Sequence, residues 1–324
     1  MKHEFGGYLP LELPRGRELY TGEGVMRLNC GRSAIVAALR NADAKKVYLP
    51  YYNCNTVYDA VTRAGFSVEH YRLDEDHLPV CPTLADGEWL LYVNYFGIAD
   101  EDMLSEVKNR WPRVIFDNTQ AFFAEPKWDR NSYNIYSCRK FIGVPDGAYL
   151  VHTGLTEEGY PADTSWQHAA FLFRCIDESV NEAYQDSLDN ESRFDGEIRG
   201  MSPSTRRILA SVNYDALRRC RRANYEVLHA ALGPYNELAC PASADAMVYP
   251  FLCSVDGLRG RLIQNKVYVS QWWKYLLDVL PADSVESRLS RYLLPLPLDQ
   301  RYTPDDMREL AALVLQLKGK GESA

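Results

Sequence analysis

The chain has 324 residues, 46% of them hydrophobic and 25% charged, with a formal net charge of -8. This is the composition of a globular protein with a full core and room for a second, smaller domain, not of a disordered or fibrous chain. The acidic balance speaks against a nucleic-acid-binding protein, and no apolar run approaches the roughly 20 residues of a membrane span.

Residues 1 to 24 are rich in Gly, Pro and charge without a sustained period, and read as an N-terminal arm ordered by packing on something else. Met26 to Ser33 runs into Ala34-Ile35-Val36-Ala37-Ala38-Leu39, a helix-forming stretch that Gly31 would open. A helix amino end offers unpaired N–H groups and a positive dipole, so Gly31, Arg32 and Ser33 could cradle a phosphate. The same three residues also fit an ordinary helix start.

Lys46 to Pro50 predicts a short strand, Asn53 to Ala64 a helix, and Phe66 to Arg72 an alternating strand, together a βαβ unit. Trp89 to Gly97 is nearly continuous apolar strand, as in a sheet covered on both faces, and Asp100 to Arg110 is helical. Val114-Ile115-Phe116 is a buried-strand run that stops at Asp117. The repeated alternation predicts right-handed crossovers and a mostly parallel sheet with helices on both sides. Ligands gather at the carboxyl ends of such strands, so Asp117 points at a site.

Tyr133 to Tyr136 reads as the next strand and carries Ser137 and Lys140 to the same end of the sheet. A lysine that can form a Schiff base and a carboxylate that holds a pyridine nitrogen protonated are the pair a pyridoxal phosphate enzyme needs. The plain alternative is a surface lysine, one among 36 Lys and Arg. Ser137-Cys138-Arg139-Lys140 is also S-x-x-K, the nucleophile signature of penicillin-binding proteins and β-lactamases, with His152-Thr153-Gly154 imitating their K-T-G. Context speaks against that reading, since this Ser follows a strand and the nearest Tyr-x-Asn, Tyr92 to Asn94, precedes it.

Beyond Leu150 the pattern turns helical, with Trp166 to Leu188 and Pro203 to Leu232 each predicted as one helix and Gly233-Pro234 ending the second. The run Arg218-Arg219-Cys220-Arg221-Arg222 winds around that helix and reads as solvated or interface charge. Met247 to Val255 is strand-like, Leu258 to Asn265 helical, Lys266 to Val269 a second strand, and Leu293 to Leu298 an apolar segment. Thr303, Pro304, Asp305 and Asp306 start a final helix that reaches about Leu317. The expected division is a large domain over residues 1–200 with the arm and a small α+β domain over 201–324.

The stretch from Val114 to Leu150 resembles the fold type I pyridoxal-phosphate enzymes, and within them the DegT/DnrJ/EryC1/StrS group of sugar aminotransferase-like proteins. The resemblance is carried by FDNTQA at 116–121, SCRKFIGVPDGA at 137–148, PYYNCNTVYDAVTRAG at 50–65 and LPLDQRYTPDDM at 296–307, so it covers nearly the whole chain. It implies a three-layer α/β fold, a pyridoxal 5'-phosphate cofactor, a homodimer, and transfer of an amino group from glutamate or a similar donor to a nucleotide-linked keto-sugar. Lys140 would bond the cofactor aldehyde, Asp117 would partner the ring nitrogen, Gln120 would neighbour the ring hydroxyl, and Ser137 with Gly31, Arg32 and Ser33 would hold the phosphate. Two positions depart from the pattern. Cys54 stands where the family stacks an aromatic residue on the ring, with Tyr52 the nearest aromatic, and Arg199-Gly200-Met201-Ser202 lacks the Asn that usually precedes Met-Ser. A lyase or dehydratase reaction on the same cofactor, or a pyridoxal-phosphate-binding relative without catalysis, are the alternatives.

No signal-peptide pattern opens the sequence, which predicts a cytoplasmic protein. The eight cysteines form no C-x-x-C pair and read as reduced thiols. His70, Asp74, Asp76 and His77 cluster at a strand end and its polar loop, and no metal site is expected there.

Overall fold

The computed structural model describes residues 5–155, 159–194 and 196–319, so the first four residues of the predicted arm lie outside it. Ten strands are formed among the described residues: β1 (Val25–Leu28), β2 (Lys46–Pro50), β3 (Ser67–Leu73), β4 (Pro79–Val80), β5 (Glu88–Val93), β6 (Val114–Asp117), β7 (Ser132–Ser137), β8 (Ala148–Val151), β9 (Tyr249–Leu252) and β10 (Leu293–Leu296). The first eight make one sheet in the order β1-β8-β7-β6-β5-β2-β3-β4. Its centre, β3-β2-β5-β6-β7, is parallel throughout, β8 and β4 run antiparallel to it on either side, and β1 at the edge pairs antiparallel with β8.

Both faces of this sheet are covered, as its apolar strands require. Side chains alternate between faces along a strand. Ile135 and Leu150 accordingly join the larger core with the helices Gly31–Asn41 and Asn55–Arg63, whereas Tyr136 and Tyr149 join a second cluster with Phe122, Met201 and Leu209. The arm closes that second face: Tyr20 stacks on Tyr136 at 4.2 Å between ring centroids and donates its hydroxyl to the carbonyl of Phe122 at 2.6 Å. Further out on the arm, Phe5, Tyr8 and Leu9 are left almost wholly exposed.

The C-terminal part has its own core, in which the antiparallel pair β9-β10 packs on the helices Tyr214–Leu232 and Pro304–Gly319. The final helix begins with the predicted cap: the Thr303 hydroxyl accepts from the Asp306 N–H at 3.3 Å while the Asp306 carboxylate accepts from the Thr303 N–H at 2.7 Å.

Three predicted elements differ. Trp166 to Leu188 is not one helix but a short turn followed by Ala170–Asp177 and Tyr184–Ser192. Its apolar spacing is genuine, yet no residue of Ala170–Asp177 is buried, so the periodic face has no core within the chain to hold a continuous helix. Pro203 to Leu232 breaks after Leu209, because Asn213 caps a new helix by accepting from the Ala216 N–H at 3.0 Å. Lys266 to Val269 is not a strand. Lys266 adopts φ 62° and turns the chain out of the helix Leu258–Gln264, with the Val267 N–H returning to the Leu262 carbonyl at 2.9 Å.

Candidate active site

In the parallel centre of the sheet Val93, Asp117 and Ile135 stand side by side in register. The three chain segments that leave β5, β6 and β7 therefore meet at one sheet end. Asp117 is 3% exposed, and its Oδ1 accepts the Thr119 N–H at 3.0 Å. Gln120 is held by the Phe96 N–H, which donates to its Oε1 at 2.9 Å. After Ser137 one tight turn, Cys138–Lys140, presents the lysine, whose Nζ donates to Thr119 Oγ1 at 3.3 Å. The return strand can pass close beneath because residue 147 is glycine. A Cβ there would lie 3.0 Å from the Thr205 methyl and 3.2 Å from Cys138 Sγ, at φ 118°.

Lys140 sits deep in a cleft while staying open to the space within it. Loss of surrounding water lowers its pKa from the ordinary lysine value, and the Asp117 carboxylate opposes that shift without cancelling it.

Two cavities meet at this lysine, sharing Cys54, Gln120, Lys140 and Trp273 in their walls. The inner one, about 150 Å³, is also lined by Gly31, Arg32, Asp117, Thr119, Ser137, Arg139 and Glu191. The helix Gly31–Asn41 starts here without a side-chain cap, leaving its first N–H groups for another acceptor. A Cβ at Gly31 would come to 3.2 Å from the Thr119 methyl, so glycine brings that helix start close to the strand end. Arg32 pairs with Glu191 at 2.5 Å, and Arg139 pairs with the other oxygen of the same carboxylate. Burial lowers the pKa of Arg139.

This donor set fits pyridoxal phosphate. The Glu191 carboxylate between two guanidiniums marks a place that accepts an anion, Asp117 offers a carboxylate for a protonated ring nitrogen, and Lys140 offers an amine for the aldehyde.

The outer cavity, about 470 Å³, opens toward Arg221, Tyr268, Asp299 and Arg301. Arg221 corrects the reading of its run as solvated charge, because it is 2% exposed. Its guanidinium lies 4.5 Å from the Phe141 ring centroid and donates to Gln300 Oε1 at 3.2 Å and to the Met247 carbonyl at 3.1 Å. Burial pushes its pKa down to about 10. Arg218 and Arg222 of the same run do lie outward and share Asp245. Arg301 chelates Asp299 through two hydrogen bonds, at 2.7 and 2.8 Å.

Of the residues singled out in the sequence, Lys140, Asp117, Gln120, Ser137, Gly31, Arg32 and Cys54 border the inner cavity. Ser33 does not: its hydroxyl turns away and donates to Asn29 Oδ1 at 2.8 Å. Tyr52 does not either. It is 0% exposed and lines neither cavity, since its ring is enclosed between Tyr95 and Trp273, so it has no face to offer a ligand. Arg199 pairs with Glu197 at 2.8 Å and borders neither cavity. Thr119, Arg139, Glu191 and Trp273 were not legible as site residues. Thr119 and Arg139 sit inside the two motifs, whereas Glu191 lies on a polar helix and Trp273 in a distant loop, with no spacing that links them to Lys140.

No family model matches the chain, and no curated protein matches it. Solved structures do. DesV from S. venezuelae aligns over 90% of this chain and 84% of its own at 18% identity and TM-score 0.61. The sugar aminotransferase CalS13 from Micromonospora echinospora aligns over 90% and 87% at 14% identity and TM-score 0.59. PseC from Helicobacter pylori, an aminotransferase involved in the biosynthesis of pseudoaminic acid, aligns over 91% and 87% at 13% identity and TM-score 0.57. At these identities the likeness is one of fold: the chain has the fold type I architecture that these aminotransferases share.

Proposed function

We propose that this chain is a pyridoxal-phosphate-dependent aminotransferase that moves an amino group between glutamate or a similar donor and a keto-sugar. The observation that carries the reading is the position of Lys140, at the junction of a cavity with an anion-binding end and a buried carboxylate and a larger cavity open to substrate. The sugar assignment rests on the shared fold with the aminotransferases named above.

The cofactor, when bound, supplies an electron sink for the carbanion left as a proton leaves the substrate's α-carbon. Asp117 keeps that sink effective by holding the ring nitrogen protonated. Gln120 has its amide oxygen taken by Phe96, which leaves its NH2 group to donate to the ring hydroxyl. Ser137, Arg32, Arg139 and the open helix start hold the phosphate. Lys140 would hold the aldehyde. Its amine, when free, would take the α-proton as a base and return it as an acid, work suited to a lysine of lowered pKa. Arg221 and Arg301 give the outer cavity positive charge to meet an anionic group of either substrate. A second subunit completes the assembly in this reading, and the apolar side chains exposed on Ala170–Asp177 support it.

The deciding experiment loads the protein with pyridoxal phosphate and adds glutamate with no acceptor. An aminotransferase stores the amino group between half-reactions, so about one equivalent of 2-oxoglutarate per site should appear. Failure with glutamate, glutamine and other common donors, in protein that borohydride labels at Lys140, would replace transamination with a lyase or binding role. No label at Lys140 would remove the cofactor itself.

A further inference from the structure

Among the described residues, Trp273 is the one aromatic residue in the wall that encloses Asp117, Ser137 and Lys140, and it also borders the outer cavity. It comes from far along the chain, on the loop that follows Val269 in the C-terminal part. That loop is fastened to the large sheet at several points. The Tyr275 hydroxyl donates to the carbonyls of Tyr51 and Asn53 at 3.1 and 3.0 Å, and the Trp272 ring stacks on Phe96 with centroids 5.6 Å apart. Behind the loop the Ser290 hydroxyl donates to the carbonyls of both tryptophans, at 2.9 and 3.2 Å.

Trp273 itself is held in an unusual conformation. Its φ is 51°, in the left-handed region that a bulky residue rarely enters, and such strain persists only where surrounding contacts enforce it. At its side chain, the Tyr52 ring meets the indole edge to face at 4.3 Å and 85°. Tyr52 is wholly enclosed, and its hydroxyl has no hydrogen-bond partner among the described residues. A fully buried phenol with an unpaired hydroxyl is costly, and here its ring serves as a backstop that fixes the plane of Trp273.

We infer that Trp273 covers the pyridine face of the cofactor, filling from the C-terminal loop the place that Cys54 leaves without an aromatic ring at the start of the helix Asn55–Arg63. This rests on the cofactor reading proposed above. The electron-rich indole face suits a protonated, electron-poor pyridine, because the ring quadrupole attracts positive charge. Tyr52 is then a positioning residue that acts through Trp273. Because the cover and the lysine belong to different parts of the chain, the ring is clamped between the sheet end and the C-terminal loop, and cofactor binding ties the two parts together.

The test uses the full chain, pyridoxal phosphate itself and three variants. Trp273→Ala should bind it roughly tenfold more weakly, as removal of one stacking ring generally does. Trp273→Phe should keep most of the affinity. Trp272→Phe should change little. Borohydride reduction then gives a fluorescent pyridoxyl group on Lys140, which an indole in van der Waals contact quenches. It should be dim in wild type and in Trp272→Phe and several-fold brighter in Trp273→Phe, a difference that a purely structural role would not produce. If Trp273→Ala fails to fold, the brightness of Trp273→Phe decides. A Trp273→Phe adduct on Lys140 as dim as wild type overturns the inference and leaves the cofactor reading intact, whereas a wild-type chain that forms no adduct at Lys140 overturns both.

Discussion

Lys140 donates from Nζ to the Thr119 hydroxyl at 3.3 Å, and the Thr119 N–H donates in turn to Asp117 at 3.0 Å. The lysine and the acid come from different strands, and a single residue between them fixes their spacing. Because protein surrounds the lysine in the cleft, its pKa lies below the ordinary value of about 10.4. Between the lowered and the ordinary value the unfolded chain binds more protons than the folded one, so stability of the cofactor-free protein rises with pH across that window and the slope ends above it. Lys140→Met removes the group. Urea midpoints followed from about pH 8 to about pH 10.5 should climb less in the variant than in wild type. Parallel curves would mean that the lysine is as well hydrated as a surface one.

Asp117 should matter more to the chemistry than to capture of the cofactor. A charge-assisted hydrogen bond from a protonated ring nitrogen contributes about 1.5 to 3 kcal/mol, so Asp117→Ala should weaken cofactor affinity by about 10- to 150-fold. Exchange of the substrate α-proton should fall further than formation of the bond to Lys140, because only the former draws on the protonated ring. Equal exchange rates in variant and wild type would take Asp117 out of this role.

Why the sequence places Asp117 and Lys140 beside the inner cavity, but misplaces Tyr52 and Ser33 and does not point to Trp273, follows from the range of the interactions that position them. A strand that stops at a polar residue shows its carboxyl end locally, and a parallel sheet brings such ends together whatever follows. Whether Ser33 turns its hydroxyl inward is decided by Asn29, one helical turn back but off the helix. The pairing of Tyr52 with Trp273 spans most of the chain, and no periodicity records it. The apolar spacing from Trp166 to Leu188 misled in another way, since it describes a face that the described core of the chain does not bury.

That face predicts a dimer. Trp166, Phe173, Ile176 and Tyr184 are each more than half exposed, as are Phe5, Tyr8 and Leu9 of the arm. Large apolar side chains left exposed in such number favour an association site. Sedimentation of the wild type at micromolar concentration should give a dimer, and Ile176→Glu should shift it toward monomer without lowering the thermal midpoint of the dissociated chain. A wild type that is monomeric yet binds pyridoxal phosphate normally would count against the second subunit.

The anion end of the inner cavity gives a prediction whose sign is informative. Arg32 and Arg139 carry two positive charges, and Glu191 occupies one side of both. A cofactor phosphate brings a charge of roughly -1.5 to -2 to the same guanidiniums, so Glu191 must either yield or repel it. Its carboxylate is about half exposed, which limits its hold on the arginines to the range of partly screened pairs, about 0.2 to 1 kcal/mol. Glu191→Gln keeps the shape and removes the charge. It should tighten pyridoxal phosphate binding about two- to fivefold and make inorganic phosphate a better competitor by a similar factor, with both gains shrinking as salt is raised. Arg139→Ala should do the reverse. The opposite sign in Glu191→Gln, weaker binding of both ligands, would mean that the carboxylate orients Arg32 and Arg139 for the phosphate instead of competing with it, and would make Glu191 part of the binding site.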